Sequence, residues 1–176
     1  GVGAQENAGN GGDGGDIIVT ISAGITTTGE KAHGMMLQSV GGSGGVAGID
    51  GALSGAFNNF AGSAGDAGDG GDITATIGAP ITVSGAMAHA IFAHSVSGTT
   101  GTDDTSGDVT IAVNADVSAT GTGGRAILAQ SASHDDGNGT IAITIAENAT
   151  VMTAADGAQT IGLFDGNANT IVNDGA

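Results

Sequence analysis

A unit of three short apolar segments recurs along the chain, and this repetition restricts the fold more than any other feature. Four units and the beginning of a fifth follow one another, at residues 16–39, 72–95, 108–131, 140–165 and 170–176. Self-similarity at a period of about 20 to 50 residues is typical of a solenoid, in which a single unit cannot bury its apolar face but a stack of units can.

Each unit predicts three β-strands. The first segment alternates β-branched and small or polar residues, with Ile17, Val19 and Ile21 at the apolar positions of the first unit, as in a half-buried strand. The second segment begins at Ile25, and the third places Met35 in an apolar column. Three strands and three corners in one unit predict a coil of a parallel β-helix, about four to five coils in all. The general preference for right-handed crossovers favours the right-handed form.

Glycine and the spacing between units define the corners and connectors. Gly29, Gly85 and Gly121 each close the second segment, and we expect positive φ there, which glycine adopts readily. The connectors vary in length while the first three units do not, as expected of insertions that leave a coil from one edge. We interpret residues 40–69 as a long Gly-rich loop insertion and residues 1–176 as one all-β domain.

Composition and charge exclude several classes of protein. The chain has 36 Gly, four Phe and no Cys, Trp or Tyr, so aliphatic columns must form the core, and disorder is expected only in the connectors. Its net charge is -16, and Lys31 and Arg125 are the two lysine and arginine residues of the chain. Such a charge repels nucleic acid and anionic membranes, so we expect neither nucleic-acid binding nor direct membrane insertion. The absence of cysteine is compatible with export of an unfolded chain.

Three runs of sequence carry a family resemblance. Residues 14–21 read Gly-Gly-Asp-Ile-Ile-Val-Thr-Ile, residues 24–29 read Gly-Ile-Thr-Thr-Thr-Gly, and residues 32–45 read Ala-His-Gly-Met-Met-Leu-Gln-Ser-Val-Gly-Gly-Ser-Gly-Gly. This pattern resembles the Gly-rich repeats in passenger regions of large autotransporter proteins of Gram-negative bacteria. The resemblance implies a right-handed β-helix that is displayed at the outer-membrane surface or outside the cell and serves adhesion or aggregation.

Acidic residues recur at the start of the units and form a candidate calcium site. No cofactor is required by the fold, but Asp carboxylates beside glycine turns are the ligands of calcium-binding nonapeptide repeats. Stacked carboxylates repel one another unless a cation or backbone donors lie between them. The alternative is a set of solvated corner aspartates. The candidate calcium ligands are Asp13, Asp16, Asp69, Asp72 and Asp108.

The third segment predicts a contact surface. Met36, Phe92 and Leu128 share one column that we expect to point outward, with His33 and His89 in a neighbouring column. An exposed apolar stripe usually marks packing against something. The connector 46–61 folding back over the stripe is one interpretation, and lateral self-association or contact with a host or cell-surface ligand is another. A third is that the inward and outward assignment of this segment is wrong.

Other constellations favour a structural role over catalysis. His33 and His89 lack the spacing of a metal site within one coil, and the acidic pairs lie in connectors that do not preorganise an acid and a base. We therefore do not expect an enzyme. Outward Thr26, Thr82 and Ser118 form a hydroxyl column that would also suit ice binding, although β-propensity alone accounts for it.

These observations predict a surface-displayed or secreted stalk or adhesin module. Stacked coils have open ends, so end-to-end association into a filament is expected beside lateral association. The alternative is a secreted solenoid that folds on binding calcium.

Overall fold

The computed structural model describes residues 9–44, 65–99, 104–134, 137–154 and 159–175, and within these ranges the regular structure is entirely β-strand. Each strand coincides with one of the apolar segments of the repeat. The strands are β1 (Ile17–Ile21), β2 (Ile25–Thr27), β3 (Met35–Val40), β4 (Ile73–Ile77), β5 (Ile81–Val83), β6 (Ile91–Val96), β7 (Val109–Val113), β8 (Val117–Ala119), β9 (Ile127–Ala132), β10 (Ile141–Ile145), β11 (Val151–Thr153), β12 (Ile161–Phe164) and β13 (Thr170–Asn173).

The strands assemble into three parallel sheets, one for each segment of the repeat. The first sheet has the order β1-β4-β7-β10-β13, the second β11-β8-β5-β2 and the third β12-β9-β6-β3. Equivalent residues of successive units pair directly, as Ile17 with Ile73 and Ile73 with Val109. The protein is therefore an all-β parallel β-helix with three strands in each coil, as the repeat predicts.

Alternation along each strand places the core between the sheets. Ile73, Ile81 and Ile91, one from each strand of the second coil, are fully buried, while the residues that alternate with the buried ones along each strand face outward. Burying one such side chain completely contributes about 1.5–3 kcal/mol. In the first coil Ile17 and Ile25 are only partly buried, because within the described residues a neighbouring coil covers one side of them.

The expected reason for glycine at the corners is wrong. Gly29, Gly85 and Gly121 lie outside the positive-φ region. At Gly85 and Gly121 glycine is required because the coils approach closely: a Cβ at Gly85 would lie 1.8 Å from the carbonyl oxygen of Gly29, and one at Gly121 would lie 2.0 Å from that of Gly85. At Gly29 a Cβ would meet the Cβ of Ala32 at 3.3 Å, so close approach of a neighbouring coil does not account for this glycine. Positive φ occurs two residues later, at Lys31, Met87 and Gly123, with values of 55°, 56° and 75°.

The fifth unit forms a strand, but its expected register is wrong by two residues. The repeat aligns Thr170 with Thr140, whereas β13 pairs Thr170 with Ala142 and Ile171 with Ile143. A shift of two residues keeps the same side chains on the same face, so the alternation alone does not distinguish the two registers. The side-chain oxygen of Asn169 accepts the backbone N–H of Ile141 at 3.2 Å and fixes the observed one.

The described ends of the expected loop 40–69 belong to the stack. The N–H of Gly42 donates to Gly12 O at 2.8 Å, and the N–H of Gly68 donates to Gly42 O at 2.8 Å. A Cβ at Gly68 would lie 2.1 Å from Gly12 O, so only glycine allows this approach. Residues 41–44 and 65–69 are thus packed segments and not part of a projecting loop, and residues 45–64 lie outside the described residues.

Candidate interaction face

Met36, Phe92 and Leu128 lie on the outer surface of the third sheet, as predicted, and we name them the apolar column. Met36 pairs with Phe92, and Phe92 pairs with Leu128. Met36 is 52% exposed, and Phe92 and Leu128 are half-buried, so the expected outward direction is confirmed. The column ends at Gly162, which pairs with Leu128.

Phe92 is half-buried because two histidine rings cover part of it. Its ring centroid lies 5.8 Å from that of His33 and 6.2 Å from that of His89, and both ring planes are within 18° of parallel to it. His94 contacts the same ring at 5.9 Å in a tilted arrangement. The rings of His33, His89 and His94 therefore form one continuous surface with the apolar column.

His33, His89 and Arg125 stack at the corner that precedes the third sheet, and we name them the histidine column. The rings of His33 and His89 lie 5.1 Å apart and 8° from parallel. The N–H of His89 donates to Nδ1 of His33 at 2.9 Å, and the N–H of Arg125 donates to Nδ1 of His89 at 3.0 Å. A ring nitrogen that accepts a hydrogen bond carries no proton, so these bonds require the neutral ring with its proton on Nε2.

Burial and neighbouring charge act on two of the histidines. Burial lowers the pKa of His89 below its usual value of 6.5, and the adjacent His33 and Arg125 lower that pKa further. Burial also lowers the pKa of His94, against which Asp165 acts in the opposite direction. Both shifts favour the uncharged rings that contact Phe92.

Polar and cationic side chains continue this face toward the last coil. The Nε of Arg125 donates to Oε1 of Gln159 at 3.3 Å, and the Arg125 guanidinium lies 5.8 Å from the centre of the Phe164 ring. Gln130 donates from Nε2 to a carboxylate oxygen of Asp165 at 2.6 Å. The face therefore combines apolar contact area with outward hydrogen-bonding groups, as protein interfaces commonly do.

The predicted calcium ligands lie along one edge of the first sheet, which we name the acidic edge. The carboxylate of Asp16 accepts the N–H of Asp72 at 2.9 Å, and that of Asp72 accepts the N–H of Asp108 at 2.8 Å. Asp13 accepts the N–H of Asp69 in the same way, at 3.1 Å. Backbone donors of the next coil thus lie between successive carboxylates.

The structure brings these aspartates into columns but does not gather them around one point. In the part of the chain that the structure describes, there is no group of three or more His, Cys, Asp or Glu side chains that could hold a metal ion. One oxygen of each carboxylate of Asp16 and Asp72 accepts a backbone N–H, which already offsets part of their mutual repulsion.

A buried serine column escaped the sequence interpretation. Ser95 is fully buried; its hydroxyl donates to Gly71 O at 2.8 Å and accepts the N–H of Gly107 at 2.9 Å. Ser39 makes equivalent bonds to Gly15 and Gly71. The recurrence of serine at one position of the third segment was the available signal, since a polar residue on a buried face needs hydrogen-bond partners.

The hydroxyl column lies on the outer surface of the second sheet, as predicted. Thr26 pairs with Thr82, and Thr82 pairs with Ser118. Met152 pairs with Ser118 and ends the column. Ice binding by this column stays a prediction.

Comparisons with known protein families, with curated proteins and with solved structures each found no match. Among the residues that the structure describes, none forms a helix long and apolar enough to cross a membrane.

Proposed function

We propose that this β-helix is an extracellular or surface-displayed structural module, a stalk or adhesin segment that makes contacts through the outer surface of its third sheet. The observation that carries the proposal is the apolar column, in which Met36 is 52% exposed beside the half-buried Phe92 and Leu128. Apolar side chains in one column of a rigid sheet add their contact area in a single plane, which suits lateral packing.

The construction of the stack supports a role in reach and rigidity. Parallel strands of successive coils lie about 4.8 Å apart, so each additional coil lengthens the body by that distance. The net charge of -16 favours solubility and restricts close contact to surfaces where charge is sparse. The apolar column is such a surface, since Met36, Phe92 and Leu128 are all uncharged.

The location and partners are part of the same proposal. The resemblance of residues 14–21, 24–29 and 32–45 to autotransporter passenger repeats supports display by a Gram-negative bacterium. A second copy of the chain is the partner that we favour, because a flat column of one composition is complementary to itself in an isologous contact. A host or cell-surface ligand is the alternative partner.

Sedimentation velocity over a range of concentrations tests the contact. We expect wild-type protein to associate reversibly and the variant Phe92→Ser/Leu128→Ser to sediment as a monomer. The matched control is Ile18→Ser/Met152→Ser, which removes apolar side chains that are 82% and 47% exposed on the other two sheets. Association that persists in the Phe92→Ser/Leu128→Ser variant, or that is lost equally in the control, would contradict this use of the third sheet.

A calcium-responsive solenoid is the second candidate, favoured by the alignment of Asp16, Asp72 and Asp108 on consecutive coils of the acidic edge. It predicts that millimolar calcium raises the Tm by several degrees, because an ion that binds only the folded chain stabilises it. The stalk proposal predicts the same Tm with calcium and with a chelator. Magnesium at equal ionic strength controls for screening of the acidic surface.

A further inference from the structure

The histidine column joins three coils through atoms that lose their function on protonation. Nδ1 of His33 accepts the N–H of His89, and Nδ1 of His89 accepts the N–H of Arg125. An imidazolium ring has two N–H donors and no acceptor. Protonation of either ring therefore removes an inter-coil hydrogen bond and sets its new N–H against the backbone N–H of the next coil.

Charge in the column acts in the same direction. The two rings lie 5.1 Å apart, and Arg125 follows them in the same column. Protonation of both histidines would place three positive charges on successive coils. Like charges at this separation disfavour one another, most strongly where solvent is partly excluded.

The charged and titratable groups around the rings do not offset this effect. Arg125 adjoins His89 from the next coil, His94 contacts the Phe92 ring that covers the two histidine rings, and the carboxylate of Asp165 acts on His94. Lys31 and Glu30 precede His33 and form an exposed ion pair with each other at 3.8 Å. Phe92 covers both rings and excludes water from one side of them.

We propose that the histidine column is an acid-sensitive latch, in which protonation of His33 and His89 separates the corner of the first three coils and releases Phe92 from its place on the contact face. The loosening of the corner stands on the hydrogen-bond geometry alone. Its consequence for contact rests on the proposed function.

The direction of the pH dependence follows from burial and charge. The pKa of His89 is lower in the folded protein than its usual 6.5. The unfolded chain therefore binds protons more readily than the folded one, and stability is complete above about pH 6.5 and declines as the pH falls through the lowered pKa.

Thermal unfolding at pH 7.5 and pH 5.0 tests the latch with a variant that keeps the acceptors but does not titrate. Asparagine can replace the histidine acceptor, because the same kind of bond occurs elsewhere in the stack: Oδ1 of Asn10 accepts the N–H of Asp66 at 3.1 Å. We expect His33→Asn/His89→Asn to retain stability at pH 7.5. We expect the wild type to lose about 2–4 °C more of its Tm than this variant at pH 5.0, because the lowered pKa of His89 is crossed in acid and protonation breaks its hydrogen bond to the N–H of Arg125.

The control and a second measurement keep the test decisive. His94→Gln introduces the residue that Gln38 and Gln130 show at the same position. It should remove less of the pH dependence than His33→Asn/His89→Asn, because the His94 ring hydrogen-bonds with the Gln38 side chain and not with a backbone N–H of the next coil. Nitrogen-15 spectra of the wild type at pH 7.5 should show His33 and His89 protonated at Nε2. Equal pH dependence in the wild type and the His33→Asn/His89→Asn variant, or protonation at Nδ1 in the spectra, would overturn the latch.

Sedimentation at both pH values separates this inference from the proposed function. If both hold, the wild type associates at pH 7.5 and is monomeric at pH 5.0. Association of the wild type that persists at pH 5.0 would show that the latch does not release the contact. If the wild type is monomeric at both pH values, the proposed contact is wrong, while the unfolding and spectroscopic results still decide the latch.

Discussion

Oδ1 of Asp16 accepts the backbone N–H of Asp72 at 2.9 Å, and Asp72 repeats this bond to Asp108 at 2.8 Å. The acidic residues of the repeat therefore connect one coil to the next. A carboxylate that accepts a backbone N–H forms a charge-assisted hydrogen bond, which is stronger than a neutral one. These bonds offset part of the repulsion between Asp16, Asp72 and Asp108 along the acidic edge.

Removal of one such carboxylate should weaken the stack measurably. We expect Asp72→Ala to lower the free energy of unfolding by about 1 kcal/mol, because the N–H of Asp108 loses its acceptor. Asp72→Asn keeps an oxygen at the same place and should recover most of the loss. Urea denaturation of both variants checks this, and equal losses in the two would show that charge, and not the hydrogen bond, determines the effect.

Substitution of a buried serine by alanine should lower the free energy of unfolding more than the same substitution of a serine on the outer surface. Ser95→Ala leaves the carbonyl of Gly71 and the N–H of Gly107 without their shared partner, and we expect a loss of about 2 kcal/mol. Ser118→Ala, on the half-buried outer surface, should change stability by less than about 0.5 kcal/mol. A similar cost for both substitutions in the same denaturation assay would argue against the serine column.

Close stacking at the corners predicts that alanine destabilises the protein strongly at Gly85 and little at Gly24. Gly85→Ala would place its Cβ 1.8 Å from the backbone oxygen of Gly29, so the coils must separate, at a cost of about 3 kcal/mol. Gly24→Ala meets its nearest atom, Pro80 O, at 3.6 Å, which is ordinary contact. We expect little change in the Tm of Gly24→Ala, and a Tm of Gly85→Ala equal to that of the wild type would refute close stacking.

The sequence predicts the coil but not the interactions between its polar groups. Alternation of apolar residues defines the three strands and the pairing of Ile17 with Ile73, because burial requires every second side chain to face the core. The outward direction of Phe92 follows from the same alternation. The bonds of His33 and Ser95 depend on which backbone atoms the neighbouring coil brings near them, and the spacing of the repeat does not specify this.

The two wrong predictions, of positive φ at Gly85 and of the register of Thr170, also concern contacts between coils that the spacing of the repeat does not specify. Gly85 is compatible both with positive φ and with close approach, and composition does not separate these two reasons. The predicted pairing of Thr170 with Thr140 is wrong because a shift by two residues, to Ala142, preserves the alternation. The details that depend on the distance between coils become visible only in three dimensions.

Disulfide cross-linking between coils tests the central claim, which is that equivalent residues of successive units are direct neighbours. The chain has no cysteine, and Thr26 pairs with Thr82 on the outer surface of the second sheet. Paired residues of adjacent strands lie about 4.8 Å apart, within the range of about 4.4–6.8 Å that a disulfide spans. The control pair Thr26→Cys/Ser84→Cys is offset by two residues, at about 8 Å, and should remain reduced.

The measurement is the fraction of monomer that shifts in a non-reducing gel after mild oxidation of the folded protein. Stacked coils predict near-complete cross-linking of Thr26→Cys/Thr82→Cys and little of the offset pair. Equal cross-linking of the two pairs, or cross-linking of the offset pair alone, would contradict the in-register stack.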